Sequence, residues 1–285
     1  MSKVFDTQRI SQSAYKLYQN KAAFSGLVII LIITLIAIFA PWIAPHHYAE
    51  VNLNRRLEPP SLEYPFGTDF LGRCIFSRVV YGAQIALSVG VLVVVIEAGI
   101  GVTLGLLAGY YGGIVDRLIT TLTDTIWALP PLVLALGVVT ILGPGLINVV
   151  VAVAIVSWAP FTRITRAKVQ SLRSREFIEA AVAIGESDFS IILRYIIPNI
   201  VPSIIVLATL TLPSAILSTT ALSFLGLGAQ PPTPDWGAIL SEGRDYLRIA
   251  PWISTFPGLA IMITVLGFNL LGDGLRDILD PRLKI

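Results

Sequence analysis

The 285-residue sequence predicts an all-α polytopic membrane protein with six transmembrane helices and one long polar loop between the fourth and fifth. Three observations carry that prediction. Hydrophobic residues make up 55% of the chain and charged residues 13%, with a mean hydropathy of +0.79; soluble domains carry about 25% charge. Apolar stretches long enough to cross a hydrocarbon core about 30 Å thick recur along the chain. Basic residues gather in alternate connections, as the positive-inside rule requires. The formal net charge of +2 is too small to suggest nucleic acid as a partner, and the length is spent on spans rather than on a separate soluble domain.

Lys3, Arg9, Lys16 and Lys21 against Asp6 hold the N-terminus in the cytoplasm. The first span covers residues 23–43. Pro41 and Pro45 stand where a signal peptide wants small residues for cleavage, so this span reads as an uncleaved anchor. Residues 44–82 face outward. Within them, the run from Pro65 to Leu87 predicts a short interfacial helix capped by Thr68, with Phe70, Leu71, Cys74, Ile75 and Val79 on one side. Cys74 is the only cysteine, which excludes an internal disulfide and suits a buried small apolar residue. His46 and His47 lack metal-ligand spacing and read as solvated loop residues. Residues 1–82 form one unit on this reading, and residues 83–285 the core of five further spans.

The second span, residues 84–107, carries Gly90, Gly99, Gly101 and Gly105, with Gly109 just beyond, and small residues let membrane helices approach closely. Tyr110-Tyr111-Gly112-Gly113 makes a turn with aromatic interface anchors. The third span, 119–142, is broken at Pro130-Pro131. The fourth, 146–160, is short and works if it continues towards Ile164 or tilts. Arg163, Arg166, Lys168, Arg173 and Arg175 form the densest basic run, which makes 161–198 a cytoplasmic loop. The fifth span covers 200–225, an outer loop with a short helix 226–251, and the sixth span 252–271. Arg276, Arg282 and Lys284 follow in the tail. Both termini then lie inside, with about 14 basic residues on the inner side against about 6 outside.

The loop from Ser174 to Asn199 is charged yet helix-forming. Ser174 suits an N-cap, and Glu176 suits the first turn of a helix. Phe177, Ala180, Ala181 and Ile184 recur at helical spacing as an apolar stripe. Gly185 suits a left-handed stop, Ser187 and Asp188 a new start, and Pro198 the point where the next helix begins or is re-aimed. Taken alone, these residues also fit a plain surface connector.

Glu179-Ala180-Ala181, three residues, Gly185, nine residues and then Tyr195-x-Ile197-Pro198 resemble the EAA loop of ABC-importer permeases. Tyr195 stands where that family has Ile, and Ile197 where it has Leu. Fragments in a shared order extend the likeness over residues 24–285: GTDFLGR (67–73), AGYYGG (108–113), FLGLGAQPPTPDWG (224–237) and NLLGDGLRDILDPRL (269–283). They are similar to the C-type member of the permease pair in the dipeptide/oligopeptide/nickel group. Phe70 and Cys74 replace more polar residues usual there.

The resemblance implies a type I ABC-importer permease fold in a prokaryotic inner membrane. It implies a B-type permease, two ATP-binding subunits and an extracytoplasmic substrate-binding protein as partners, with lipid around the spans. It further implies a coupling role for Glu179, Ala180, Ala181, Gly185 and Pro198. The chain has no G-x-x-x-x-G-K-[ST] phosphate loop, so ATP and Mg belong to the partner subunits and no cofactor is expected here; no catalytic set is apparent. Glu97, in mid-span, and Asp124, a turn into the third span, are candidates for the translocation path; Asp124 and Asp273 are candidates to pair with Arg117 or Arg276. Helix packing is the competing role for Glu97, and a headgroup-level charge for the two aspartates. Peptides are the expected cargo, with nickel, a metallophore or another small solute as the alternative. An ion-coupled secondary transporter is the alternative from another class, with Glu97 its sole candidate coupling residue.

Overall fold

The computed structural model describes residues 20–279, so the expectations resting on Lys3, Asp6, Arg9, Lys16, Arg282 and Lys284 lie outside the described residues. Among the described residues the chain is helical throughout, apart from loops and one isolated bridge between Thr68 and Cys74. Five helical stretches are long and apolar enough to cross a membrane, and a bent helix pair passes the same test as one broken span.

Helix α1 (Lys21–Ile38) starts where the Asn20 side chain accepts the Ala23 amide at 3.1 Å, and a short turn, Ala40–Ile43, prolongs it past Phe39. It lies against the last helix, α11 (Trp252–Leu279), at backbone distance: a Cβ on Gly26 would fall 2.5 Å from the Leu271 nitrogen. Its other side, including Leu31, Ile32 and Ile38, is exposed as a lipid-facing surface requires.

Helix α2 (Ile75–Tyr111) runs unbroken for 37 residues. The separate interfacial helix expected before the second span is not there. Residues 66–74 instead form a tight loop, with Gly67 and Gly72 at φ +74° and Gly72 pressed against the Asn52 carbonyl. Thr68 caps nothing. Its hydroxyl accepts the Glu58 amide and donates to the Arg55 carbonyl. Cys74 takes the N-cap position of α2 and is buried. His46 is half-buried and stacks on Tyr64 at 4.5 Å rather than standing in solvent.

Four charged side chains tie this loop to the segment 226–251. Asp69 accepts from Arg73 at 2.6 Å and from Arg78 at 2.7 Å; Glu242 accepts from the same two arginines at 2.8 and 2.6 Å. Asp69, Arg73 and Arg78 are buried, so each depends on the others in place of water. Glu242 lies on α10 (Trp236–Gly243), which Asp235 caps by accepting the Ala238 amide.

Helices α3 (Gly113–Trp127) and α4 (Pro131–Leu142) meet at 88° across the expected proline break. Helices α5 (Leu146–Ser157) and α6 (Ala159–Arg173) continue one another to make the fourth span. The helix therefore reaches Arg173, and Arg163, Arg166 and Lys168 lie on it rather than in a loop. Gly101, Gly105 and Gly109 of α2 let α6 approach so closely that a Cβ at any of them would come within 2.5–2.7 Å of Phe161, Thr165 or Val169. After α7 (Glu176–Ala183) and α8 (Asp188–Ile191), helix α9 (Ile197–Phe224) forms the fifth span. A central apolar cluster of Val93, Val139, Val149, Val153, Phe161 and Leu222 holds α2, α4, α5, α6 and α9 together.

Candidate functional site

The segment between α6 and α9 folds as two short helices seated on the basic end of the bundle. Helix α7 starts one residue later than the sequence suggests. Arg175 stands at its N-cap without a side-chain bond, while Ser174 closes α6, its hydroxyl donating to the Ser171 carbonyl at 3.4 Å. Glu176 and Glu179 both lie in the first turn, where the exposed amides of the helix end favour negative charge.

The expected apolar stripe faces two ways. Ile178 and Ala181 are buried, in one cluster with Tyr110, Val169, Ile191, Ile196 and Ile200. Phe177, Ala180 and Ile184 point outward and are exposed, as are Val182 and Phe189. Helix α7 is apolar on two faces, so periodicity alone does not tell which one the chain itself covers.

Gly185 has φ +81°. Its amide donates to Val182 O at 3.0 Å and the Glu186 amide to Ala181 O at 3.1 Å, the paired bonds of a Schellman stop. No heavy atom lies within 4 Å of where a Cβ on Gly185 would be. A Cβ here meets no clash within this chain, and within it the backbone conformation is what demands glycine. Ser187 caps α8 by accepting the Ser190 amide, and the Ser190 hydroxyl donates to Glu186 at 2.7 Å. That bond, with Arg194 nearby, holds the Glu186 carboxyl below its ordinary value.

Pro198 stands in the first turn of α9, as expected, but that helix does not begin free. A π turn, Ile192–Ile196, joins α8 to α9, with the Ile197 amide bonding to the Ile192 carbonyl. Asp188 through Phe224 is one continuous helical path.

The contact that seats α8 joins residues too far apart in the chain for any pattern to reveal it. The buried Tyr110, at the end of α2, donates its hydroxyl to the Asp188 carboxylate at 2.8 Å across 78 residues. The Arg173 guanidinium lies 5.9 Å from the centre of the same ring. Three chain segments thus meet on one phenol. Beside it, a cleft of about 530 Å³ separates Tyr110, Tyr111 and Arg173 from Glu179 and Val182 of α7.

The two intramembrane acids differ. Glu97 is 3% exposed, on the stripe of α2 that carries Val93, Val94 and Gly101, and Gly101 abuts Trp158 and Phe161. Asp124 is exposed, and neither Arg117 nor Arg276 holds it: Arg163 of α6 does, at 2.7 Å, while its guanidinium lies 4.5 Å from the Trp127 ring centre. Asp273 is exposed on α11. Glu179, Ala180 and Ala181 come together on α7 with Gly185 at its stop, and Glu97 lies away from them inside the bundle. Among the described residues, no group of three or more His, Cys, Asp or Glu is arranged to hold a metal ion.

The sequence matches known proteins over most of its length. The family described as binding-protein-dependent transport system inner membrane component matches residues 101–285, and the N-terminal TM domain of oligopeptide transport permease C matches residues 10–60. The chain is 51% identical over 274 residues to the dipeptide transport system permease protein DppC of Alkalihalophilus pseudofirmus, covering 96% of this chain and 90% of that one. It is 52% identical over 270 residues to the glutathione transport system permease protein GsiD of Escherichia coli O157:H7, covering 93% and 88%. One chain of an inward-facing MetNI methionine ABC transporter superposes with a TM-score of 0.56 at 20% identity, covering 72% of this chain and 98% of that one. At that identity the likeness concerns the fold.

Proposed function

The chain belongs to the family of binding-protein-dependent transport system inner membrane components, and from that premise we propose that it is one permease subunit of an ATP-driven importer of di- or oligopeptides. It contributes half of the translocation path, beside a second, B-type permease. Two ATP-binding subunits dock on the basic end, which faces the cytoplasm together with both chain termini. A substrate-binding protein delivers peptide at the opposite end. ATP and Mg act on the partner subunits, and this chain supplies no catalytic group. The dipeptide and glutathione systems of the relatives support a peptide as cargo.

The observation that carries the reading is the outward face of α7. Phe177 and Val182 of α7, Ile184 at its end and Phe189 of the adjoining α8 are 43–81% exposed at a polar end of a membrane protein, with α7 fixed from behind by Ile178 and Ala181. Apolar side chains so displayed suit a partner's groove. Ala180 permits close approach, Glu179 makes polar contacts at the rim, and the Gly185 stop fixes where the helix ends. ATP binding and hydrolysis move the groove. Helix α7 transmits that movement through Tyr110 to α2 and through the continuous Asp188–Phe224 path, with Pro198 on it, to the fifth span. Glu97 is closed off inside the helix packing and serves there.

The test is gentle solubilisation of membranes containing the tagged chain, followed by identification of what co-purifies. A second permease and ATP-binding subunits are expected, with the latter lost when Ile184 and Phe189 are replaced by aspartate. Recovery of the chain alone, still transporting after reconstitution without ATPases, overturns the proposal.

A further inference from the structure

Exposed charges at membrane depth need explaining. Arg163 and Asp124 are paired at 2.7 Å, yet their side chains remain 46% and 67% exposed. Their level follows from the α2–α6 contact. A Cβ on Gly101 would meet Phe161 and the Thr162 nitrogen, and one on Gly105 would meet Thr162 O and Thr165, so Arg163 lies level with that turn of α2. The turn is about 8–14 Å along the helix from Tyr110, at 1.5 Å per residue. The α2 stretch between, from Gly101 to Ala108, carries no charge. Asp124 is likewise about 16 Å along α3 from Gly113. The pair therefore stands beside apolar helix, inward of the Tyr110-Tyr111 interface anchors. Charged side chains there avoid lipid and face a bundle interior or a water-filled cavity.

A third group completes the arrangement. Trp127 is 44% exposed, under the Arg163 guanidinium, at the last residue of α3 before the 88° break. Broken helices are tolerated at membrane depth where they line a wet cavity or are buried in protein.

We propose that Asp124, Arg163 and Trp127 form a subsite on the translocation path for the charged ends of a zwitterionic peptide. This rests on the importer reading above. With no cargo, the two charges satisfy each other and neither is left bare. A passing peptide exchanges that single pair for two without changing the net charge. The planar fork of Arg163 takes the C-terminal carboxylate, and Asp124 takes the ammonium group. The Trp127 face accepts the cation or an apolar side chain. Because the resting pair competes with cargo, binding stays weak enough to release it, as a transport path needs.

The experiment uses the complete importer, with its binding protein and ATPases, in proteoliposomes. On a Cys74→Ala background, Asp124→Cys and Thr121→Cys are treated with a permanently charged methanethiosulfonate. Thr121 is exposed one helical turn from Asp124, and its replacement keeps the ion pair. Labelling of both is expected, against slow labelling of Leu31→Cys on the lipid-facing side of α1. Uptake of alanyl-alanine and of its C-terminal amide is then compared in wild type and Arg163→Gln. The binding protein is common to both, so its own preference cancels in the ratio. A loss of roughly tenfold for the free acid and a much smaller one for the amide is expected, the scale of one charge-assisted bond. Equal losses for the two peptides, or labelling at 121 and 124 as slow as at 31, overturns the subsite. Failure of the wild-type importer to take up either peptide instead counts against the importer reading, and the labelling still judges whether the pair faces water.

Discussion

Gly185→Val isolates one physical quantity, because the surroundings of Gly185 are empty. No heavy atom of the chain lies within 4 Å of the added Cβ, so that carbon meets no clash. What remains is φ at +81°. For an L-residue, the left-handed region costs about 1–2 kcal/mol, with β-branched residues the worst placed and Asn the best tolerated. Escaping that cost by rotating the backbone breaks the bonds from Gly185 to Val182 and from Glu186 to Ala181. Either way, about 1–2 kcal/mol lowers the population of correctly ended α7 by a factor of roughly 5–30. The assay is the yield of co-purifying ATP-binding subunits, together with peptide uptake per ATP hydrolysed, in the Asn, Ala and Val variants. Asn should lie nearest wild type, Ala between and Val lowest. A Val variant equal to wild type refutes the reasoning. An Asn variant as impaired as Val also refutes it, since the cost would then come from bulk against a partner rather than from the dihedral.

Further outcomes follow from other contacts. Tyr110→Phe keeps the ring in its core and removes the bond to Asp188; uptake per ATP hydrolysed should fall while assembly survives, and adding Asp188→Asn should cost little more, since both act through one bond. Glu242→Ala leaves Arg73 and Arg78 sharing Asp69 alone. Breaking such a pair costs about 3–5 kcal/mol when fully buried, and with Glu242 18% exposed the lower part of that range should appear as a depressed Tm in detergent. Burial lifts the Asp235 carboxyl above its ordinary value. The folded state therefore holds the proton more tightly than the unfolded one, and stability falls as pH rises from about 3.9 through the raised folded value. Asp235→Asn keeps the cap acceptor and removes the charge, so Tm near neutral pH should rise and that slope should flatten, whereas Asp235→Ala should lose about 1 kcal/mol with the cap. An Asn variant with an unchanged slope counts against this account.

Hydropathy revealed the spans because each must satisfy lipid, whatever its neighbours. It did not reveal how residues 44–82 fold. The run from Pro65 to Leu87 is amphipathic by composition, yet Gly67 and Gly72 turn its first part into a loop held by Asp69 and Arg73. The residues of α7 were legible by spacing, but its orientation was not, since a face meant for another chain is as apolar as one meant for the core. The partners of Asp124 and Asp188 were invisible for a different reason. Arg163 and Tyr110 lie 39 and 78 residues away, and only the glycine-lined approach of α2 to α6 and the docking of α8 bring them close. Glu97 stood out as costly in the sequence, and the structure keeps it away from water.

The π turn at Ile192–Ile196 carries an evolutionary implication. Such a turn amounts to an α-helix that has accepted one extra residue, and here it stands just ahead of a proline whose ring would otherwise press on the Arg194 carbonyl. The insertion and Pro198 are therefore mates. Deleting a residue elsewhere along Asp188–Phe224 swings everything beyond it by about 100°. Deleting one inside the π turn leaves both flanking helices facing as they do now, but sets Pro198 in a regular helix, where its ring kinks the path. A shortened chain that also carries Pro198→Ala should stay in register where the deletion alone buckles, and a lineage that lost one of the pair would be expected to have lost the other.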